Sequence, residues 1–117
     1  MRTRLGMEFY IDYAHKLKGH LLCGRPHGHT ARIIIEIEGR VKEGKHYRDN
    51  MVMDFAEMKI ISRKTLDKLD HHDLNKQFGM PTSENITKWI FEQLAKKMPV
   101  AKVTFHEGQG KWCSIGS

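Results

Sequence analysis

The chain has 117 residues, of which 39% are hydrophobic and 29% are charged, and its formal net charge is +6. This composition is typical of a folded globular protein rather than a disordered chain, and the length predicts one domain over residues 1–117. No apolar run approaches the roughly 20 residues that a membrane-spanning helix needs. The N-terminus lacks the apolar core of a signal peptide, so we expect a cytoplasmic protein with no membrane partner.

The cysteines indicate the redox environment of the protein, and the basic residues indicate the charge of its binding partner. Cys23 and Cys113 are the only cysteines and lie far apart, which predicts two free thiols under reducing conditions. The positive charge indicates an anionic partner, either a phosphorylated metabolite or a nucleic acid. Because lysine and arginine are spread along the chain, with no basic run interleaved with aromatic residues, we expect a small molecule and no nucleic acid.

The first third of the chain predicts two strands joined by a long loop. Hydrophobic and polar residues alternate over Met7–His15 and again over Thr30–Glu38, as in strands with one buried face. Residues 16–28 contain glycine and proline and have no clean period, which predicts a loop. His27 and His29 extend the apolar parity of the second strand, so histidines lie where the apolar faces of both strands end.

The rest of the chain predicts two helices followed by two strands. One helix is expected over Phe55–Leu69, and a second opens at Pro81–Glu84 and runs to about Lys97. The buried stripes are Phe55, Met58, Ser62, Leu66 and Leu69 on the first helix, and Ile86, Trp89, Ile90 and Leu94 on the second. Strands are expected at Ala101–Glu107 and Lys111–Ile115. The order ββααββ predicts an α+β fold in which a four-stranded antiparallel sheet carries two helices on one face.

Two histidines at a spacing of two residues predict a metal site. In an extended chain, His27 and His29 leave the same face of the backbone and can bind one ion. Three protein ligands with one open position are typical of catalytic zinc, and His15 is a better third ligand than His20 because it ends an apolar parity. The alternative is that the histidines pack in the core, which is costly because each buried ring needs its own hydrogen-bond partner.

Other polar residues have both a functional and a structural interpretation. The thiolate of Cys23 would be favoured beside Arg25 and a metal ion and can act as a base, or Cys23 is a small buried hydrophobe. Glu107 lies on an inward parity, so its carboxylate needs either the donors of a ligand or a salt-bridge partner. Asp70 and His71 can simply cap the end of the first helix.

The order of these motifs along the chain resembles one enzyme family. The motifs are Ala14-His15, Cys23 followed by His27-Gly28-His29, Met51–Phe55 (MVMDF), Leu69–Asn75 (LDHHDLN), Pro81–Asn85 (PTSEN) and Glu107. Together they resemble the 6-pyruvoyl-tetrahydropterin synthase family, and the Cys-x-x-x-His-Gly-His spacing resembles its 6-carboxytetrahydropterin synthase branch. The resemblance implies the tunnelling fold, whose subunits join their sheets into barrels, and therefore a homotrimer or a homohexamer.

The same resemblance implies roles for individual residues. It implies Zn²⁺ on His15, His27 and His29, catalytic roles for Cys23, Asp70 and His71, and substrate binding by Glu107, Thr82 and Ser83. The aspartate of the catalytic pair would fix the imidazole tautomer, which leaves the other ring nitrogen free to move protons. The glutamate would accept two hydrogen bonds from the 2-amino group and the adjacent ring N–H of a pterin.

The implied reaction converts 7,8-dihydroneopterin triphosphate to 6-carboxy-5,6,7,8-tetrahydropterin, acetaldehyde and triphosphate, a step towards queuosine-type tRNA bases. Two other enzymatic outcomes stay open: triphosphate elimination alone, which gives 6-pyruvoyl-tetrahydropterin, and an aldolase-like cleavage for folate synthesis. A basic, zinc-containing binding protein is the non-enzymatic alternative. The presence of Cys23, Asp70, His71 and Glu107 together argues against it, because a binding module has no use for that set.

Overall fold

Two long antiparallel strands form the frame of the molecule. The computed structural model describes residues 1–20 and 24–117, and in it β1 (Arg2–His15) pairs with β2 (His27–Arg40) along their whole length. Both strands are longer than the hydrophobic alternation predicts. The added residues at the far end are charged and pair across the strands, with Arg2 and Arg4 forming salt bridges to Glu38, and charged pairs carry no hydrophobic alternation.

Two α-helices follow, and each begins at a side-chain cap. α1 (Phe55–Leu66) starts where the Asp54 carboxylate accepts a hydrogen bond from the backbone N–H of Ala56, at 2.8 Å. α2 (Ser83–Ala95) starts at Thr82, as the sequence predicts. Short 3-10 helices lie at Tyr47–Asn50 and Leu74–Lys76. None of the helices in the described ranges combines the length and the apolarity that a bilayer crossing requires.

The sheet has five strands rather than the four predicted. Its order is β3-β1-β2-β4-β5, where β3 is His72–Asp73, β4 is Val100–Glu107 and β5 is Trp112–Gly116. The three longer pairings are antiparallel, whereas β3 is parallel to β1. The sequence predicts a turn at β3 because a strand of two residues is too short to show any alternation.

The core lies between one face of the sheet and both helices. Its buried side chains include Phe9, Ile11, Tyr13, Ile33, Ile35, Val103 and Phe105 from the strands, and Met58, Leu66, Ile86, Ile90 and Leu94 from the helices. The opposite face is polar, with contacts such as the Arg32–Glu8 salt bridge at 3.3 Å. The alternation in the sequence therefore predicts correctly which face of each long strand is buried.

The helix predictions need three corrections. α1 ends at Leu66 rather than Leu69, although Leu69 stays buried because its N–H bonds to the Leu66 carbonyl in a continuing turn. Phe55 is 54% exposed, because it is the first residue of α1 and lies one turn before Met58, the first residue of that helix to reach the core. Trp89 is only partly buried and packs at the margin of the core.

Candidate active site

Three histidines meet where β1 and β2 end side by side. His15 lies directly opposite His27 in the strand register, and His29 follows two residues later on the same face. The ring centroids are 4.5 to 4.9 Å apart in the three pairs. One ring nitrogen from each histidine lies within 4.8 Å of the other two. The structure thus brings together the three residues that the sequence predicts as metal ligands.

The hydrogen bonds of the rings leave their Nε2 atoms without partners. Nδ1 of His15 lies 2.8 Å from the Pro81 carbonyl oxygen, and Nδ1 of His27 lies 2.8 Å from the Arg25 carbonyl oxygen. An Nδ1–H that donates to a carbonyl fixes the tautomer and leaves the Nε2 lone pair free. The Nε2 atoms of all three histidines are buried and make no hydrogen bond within the described residues, although a carboxylate oxygen of Glu107 lies 3.3 Å from Nε2 of His29.

This arrangement fits a metal ion better than it fits core packing. Buried ring nitrogens without hydrogen bonds are costly in a core, whereas imidazole nitrogens are the normal donors to zinc and similar ions. Burial lowers the pKa of His29, and the nearby carboxylate of Glu107 opposes that shift only in part. A lowered pKa keeps the ring neutral, which is the form that can bind a metal.

Tyr13 is a neighbour of the cluster that sequence reasoning missed as a candidate. Its ring lies 5.2 Å from that of His15 and 5.6 Å from that of His29, measured between centroids. Burial raises the pKa of its hydroxyl, which has no hydrogen-bond partner in the described part of the chain. The available signal is its parity, since Tyr13 precedes His15 on the same face of β1.

Glu107 links the histidines to a neighbouring cavity. Its Oε1 lies 3.3 Å from Nε2 of His29, and its Oε2 accepts a hydrogen bond from the Ser83 hydroxyl. Glu107 and Ser83 line a cavity of about 450 Å³, together with Lys111, Trp112 and others. Glu107 thus belongs to the cavity wall and also lies beside the histidine cluster.

Thr82 and Ser83 have different positions at the start of α2. Oγ1 of Thr82 accepts the hydrogen bond of the Asn85 N–H at 3.2 Å, so this oxygen caps the helix. Thr82 is not among the residues that line the cavity beside Glu107, whereas Ser83 is. Ser83 is therefore placed to orient the glutamate, whereas the Thr82 hydroxyl is partly occupied by the cap and keeps its O–H and one lone pair for the predicted substrate contact.

Asp70 and His71 form the predicted pair at the outer edge of β1. Nδ1 of His71 lies 3.0 Å from Oδ1 of Asp70, and that oxygen also accepts the N–H of Asp12 at 2.9 Å. The His71 side chain is 76% exposed, and its backbone has a φ of 60°. Within residues 1–20 and 24–117, no hydrogen bond, ion pair or ring contact joins the pair to the histidine cluster.

The predicted base Cys23 lies outside the described residues, so its role remains a prediction. The other cysteine, Cys113, is a half-buried free thiol on β5 that lines the cavity beside Glu107. The sequence predicts only a free thiol for Cys113, and its place in the cavity wall is a finding of the structure.

A comparison with protein families places this fold among known proteins. The family model described as 6-pyruvoyl tetrahydropterin synthase matches residues 4–117. The chain belongs to this family. The match spans the histidine cluster, the Asp70–His71 pair and Glu107, so the resemblance that the sequence motifs indicate is confirmed.

Individual members of the family are similar to this chain at different levels. A protein of Archaeoglobus fulgidus, provisionally named 6-carboxy-5,6,7,8-tetrahydropterin synthase, is 41% identical over 95% of this chain and 93% of its own. The dihydroneopterin monophosphate aldolase of Pyrococcus furiosus is 40% identical over 85% of this chain and 81% of its own. The structure of 6-pyruvoyl tetrahydropterin synthase of Caenorhabditis elegans has a TM-score of 0.86, with 23% identity, over 100% of this chain and 96% of that one. The tunnelling fold is therefore confirmed for this family member.

Proposed function

We propose that the protein is a zinc-dependent 6-carboxy-5,6,7,8-tetrahydropterin synthase that acts on 7,8-dihydroneopterin triphosphate in the 7-deazaguanine pathway leading to queuosine. The observation that carries a metal-dependent lyase is the set of three buried Nε2 atoms without partners, next to a cavity that contains a carboxylate. The choice of product is supported by the 41% identity to the Archaeoglobus fulgidus protein and by the Cys-x-x-x-His-Gly-His spacing.

The proposed zinc ion would be held by Nε2 of His15, His27 and His29. Zinc in such a site supplies Lewis acidity, which makes the C–H and O–H protons of a bound hydroxyalkyl side chain easier to remove. The carbonyl oxygens of Pro81 and Arg25 would keep two of the rings in the right tautomer.

The pterin ring is assigned to the cavity beside Glu107. A carboxylate accepts two hydrogen bonds from the 2-amino group and the adjacent ring N–H of a pterin. Ser83 would orient Glu107 through the hydroxyl contact, and Thr82 would contribute its hydroxyl hydrogen at the start of α2. C6 lies at the far end of the bicyclic ring from the edge that Glu107 would hold, and its substituent would extend from there to the histidine cluster.

Proton transfer is assigned to Cys23 and to the Asp70–His71 pair. Asp70 holds Nδ1 of His71 at 3.0 Å, which leaves Nε2 exposed to exchange a proton with a substrate carbon or oxygen. One water molecule is consumed in the overall reaction. Dihydroneopterin triphosphate and this water together contain the atoms of 6-carboxytetrahydropterin, acetaldehyde and triphosphate.

The exposed position of His71 supports an assembly in which another protomer covers it. A sheet with free edges on β3 and β5 also needs partners, and we propose a homotrimer or homohexamer in the cytoplasm with sites at subunit boundaries. Light scattering at micromolar concentration tests this assembly. A monomer would contradict both the oligomer and the shared site.

A second candidate is cleavage of dihydroneopterin monophosphate. It is favoured by the Pyrococcus furiosus aldolase, whose 40% identity nearly equals that of the first relative. Breaking the bond between the first two side-chain carbons of that substrate gives 6-hydroxymethyl-7,8-dihydropterin and glycolaldehyde phosphate. The same metal site and pterin pocket can serve this retro-aldol cleavage, because both reactions begin with proton removal from the hydroxylated side chain.

Product analysis separates the candidates. Zinc-loaded protein is incubated in parallel with dihydroneopterin triphosphate and with dihydroneopterin monophosphate, and the pterins are identified by mass spectrometry. We expect 6-carboxytetrahydropterin from the triphosphate. A 6-pyruvoyl product, or a 6-hydroxymethyl product from the monophosphate alone, would replace the proposed activity with the corresponding alternative.

A further inference from the structure

A groove with a basic rim and an apolar floor runs between α1 and α2, away from the candidate active site. Its volume is about 450 Å³. Its lining includes Ile60, Ile61, Lys64, Lys68, Lys96 and Lys97, and we refer to it as the lysine groove. None of the residues assigned to zinc, pterin or proton transfer lines it.

The four lysines of this groove are not paired in salt bridges within the described residues. All four are exposed. No aspartate or glutamate of the described ranges lines the groove. Four neighbouring ammonium groups repel one another, and a bound polyanion relieves that repulsion. The fold therefore concentrates positive charge from two segments that lie about thirty residues apart.

The floor of the groove is apolar and partly open to solvent. Ile60 is 70% exposed, although it is a large apolar residue in the middle of α1. Ile61 beside it is half-buried and packs against the core. An exposed isoleucine next to a cavity gives a ligand with apolar side chains a surface to bury. A bare inorganic anion would make no use of this floor.

The composition of the groove favours a protein ligand over a nucleic acid. Neither arginine nor an aromatic residue is among the described residues that line it. Nucleic-acid sites rely on aromatic stacking and on the planar guanidinium, both of which are lacking here. A groove between two helices with an apolar floor is suited to the apolar face of a third helix.

We propose that the lysine groove binds an acidic amphipathic helix of a partner protein. One or two apolar side chains of that helix pack on Ile60 and Ile61, and its carboxylates lie among the four lysines. The interaction is separate from catalysis, so it leaves the proposed active site free.

The test uses three labelled peptides and the 117-residue chain. The first is an 18-residue peptide with leucines at helical spacing on one face and glutamates on the other faces. The second carries glutamine in place of every glutamate, and the third has the same composition as the first with the leucines dispersed around the helix. We expect the first to bind most tightly by fluorescence anisotropy, and its binding to weaken from 50 to 300 mM salt because exposed charges are screened.

Variants of the chain localise the binding. Lys64→Gln combined with Lys96→Gln should lower the affinity for the first peptide by about 2- to 30-fold, the effect of losing two exposed ion pairs. Lys42→Gln with Lys45→Gln removes the same charge outside the groove and should change affinity less than about twofold. Ile60→Ser should weaken binding by about tenfold. Because Ile60 is exposed, the variant should keep the fold. In the wild-type protein, the methyl NMR signals of Ile60 should shift when the first peptide is added.

Several results would overturn the proposal. These are no binding of the first peptide, equal binding of the glutamine peptide, or equal losses in the groove variant and the Lys42, Lys45 control. A single-stranded oligouridine that binds more tightly than the peptide, with the same loss in the groove variant, would show a nucleic-acid site instead. Displacement of the peptide by stoichiometric inorganic triphosphate would show a small-anion site instead.

Discussion

The histidine cluster and the Asp70–His71 pair are both candidate catalytic groups, but they differ in how completely one chain builds them. The three Nε2 atoms of the cluster are buried, two of its rings contact backbone carbonyls through Nδ1, and one ring nitrogen of each histidine lies within 4.8 Å of the other two. His71 is 76% exposed and has a left-handed backbone. One chain thus supplies a preorganised candidate metal site, whereas the proposed acid–base pair faces solvent, and we expect it to become part of an active site only when another protomer covers it.

The largest expected effect is loss of the metal from the cluster. His27→Ala with His29→Ala should reduce bound zinc from about one per chain to near zero and abolish turnover, because a single remaining imidazole binds zinc weakly. Elemental analysis measures this directly. His46→Asn, at a histidine that only caps a 3-10 helix, is the control and should keep its zinc. Full zinc retention in the double variant would show that the histidine cluster is not the zinc site.

Substitution of His71 in the Asp70–His71 pair should slow the chemical step and leave the metal in place. His71→Asn should reduce turnover by about 10²- to 10⁴-fold, the usual effect of a general acid–base group, with unchanged zinc content. Asparagine is the chosen substitute because it tolerates the left-handed conformation at φ 60°. Single-turnover kinetics measure the chemical step. If His71→Asn turns over at the wild-type rate, the exposed histidine has only a structural role.

Prediction from the sequence succeeds where the pattern is local. His15, His27 and His29 were predictable because strand parity sets their direction and two of them lie two residues apart. The tautomer contact of His15 was not, because Pro81 lies 66 residues away and reaches it only through the docking of α2. The contact between Glu107 and His29 likewise depends on the β2–β4 register, which the sequence does not encode locally.

Substitutions of Glu107 and Ser83, which lie between the histidine cluster and the cavity, should have an intermediate effect on pterin binding. Glu107→Gln places an amide donor against the donor edge of the pterin, so it should weaken pterin binding more than Ser83→Ala does. Ser83→Ala removes one hydrogen bond to the carboxylate and should weaken binding by about 2- to 12-fold. Equilibrium titration with a pterin product measures both. Equal affinities of wild type and Glu107→Gln would return Glu107 to a structural role.

The smallest effect is expected at Tyr13. Its buried hydroxyl has no partner in the described chain, so Tyr13→Phe should keep the zinc and change the free energy of unfolding by less than about 1 kcal/mol. Denaturant titration measures the stability. A loss of turnover with normal zinc and stability would instead reveal that this hydroxyl contacts the substrate, and would extend the preorganised site beyond the three histidines.

The central claim is that one chain holds zinc through three imidazole nitrogens and leaves a position open. X-ray absorption at the zinc edge of the wild-type protein, purified without chelator, tests it most directly. The account predicts three nitrogen scatterers from imidazole at about 2.0–2.1 Å and an oxygen scatterer from water, with no sulfur. A sulfur shell at about 2.3 Å, or fewer than three imidazoles, would contradict it.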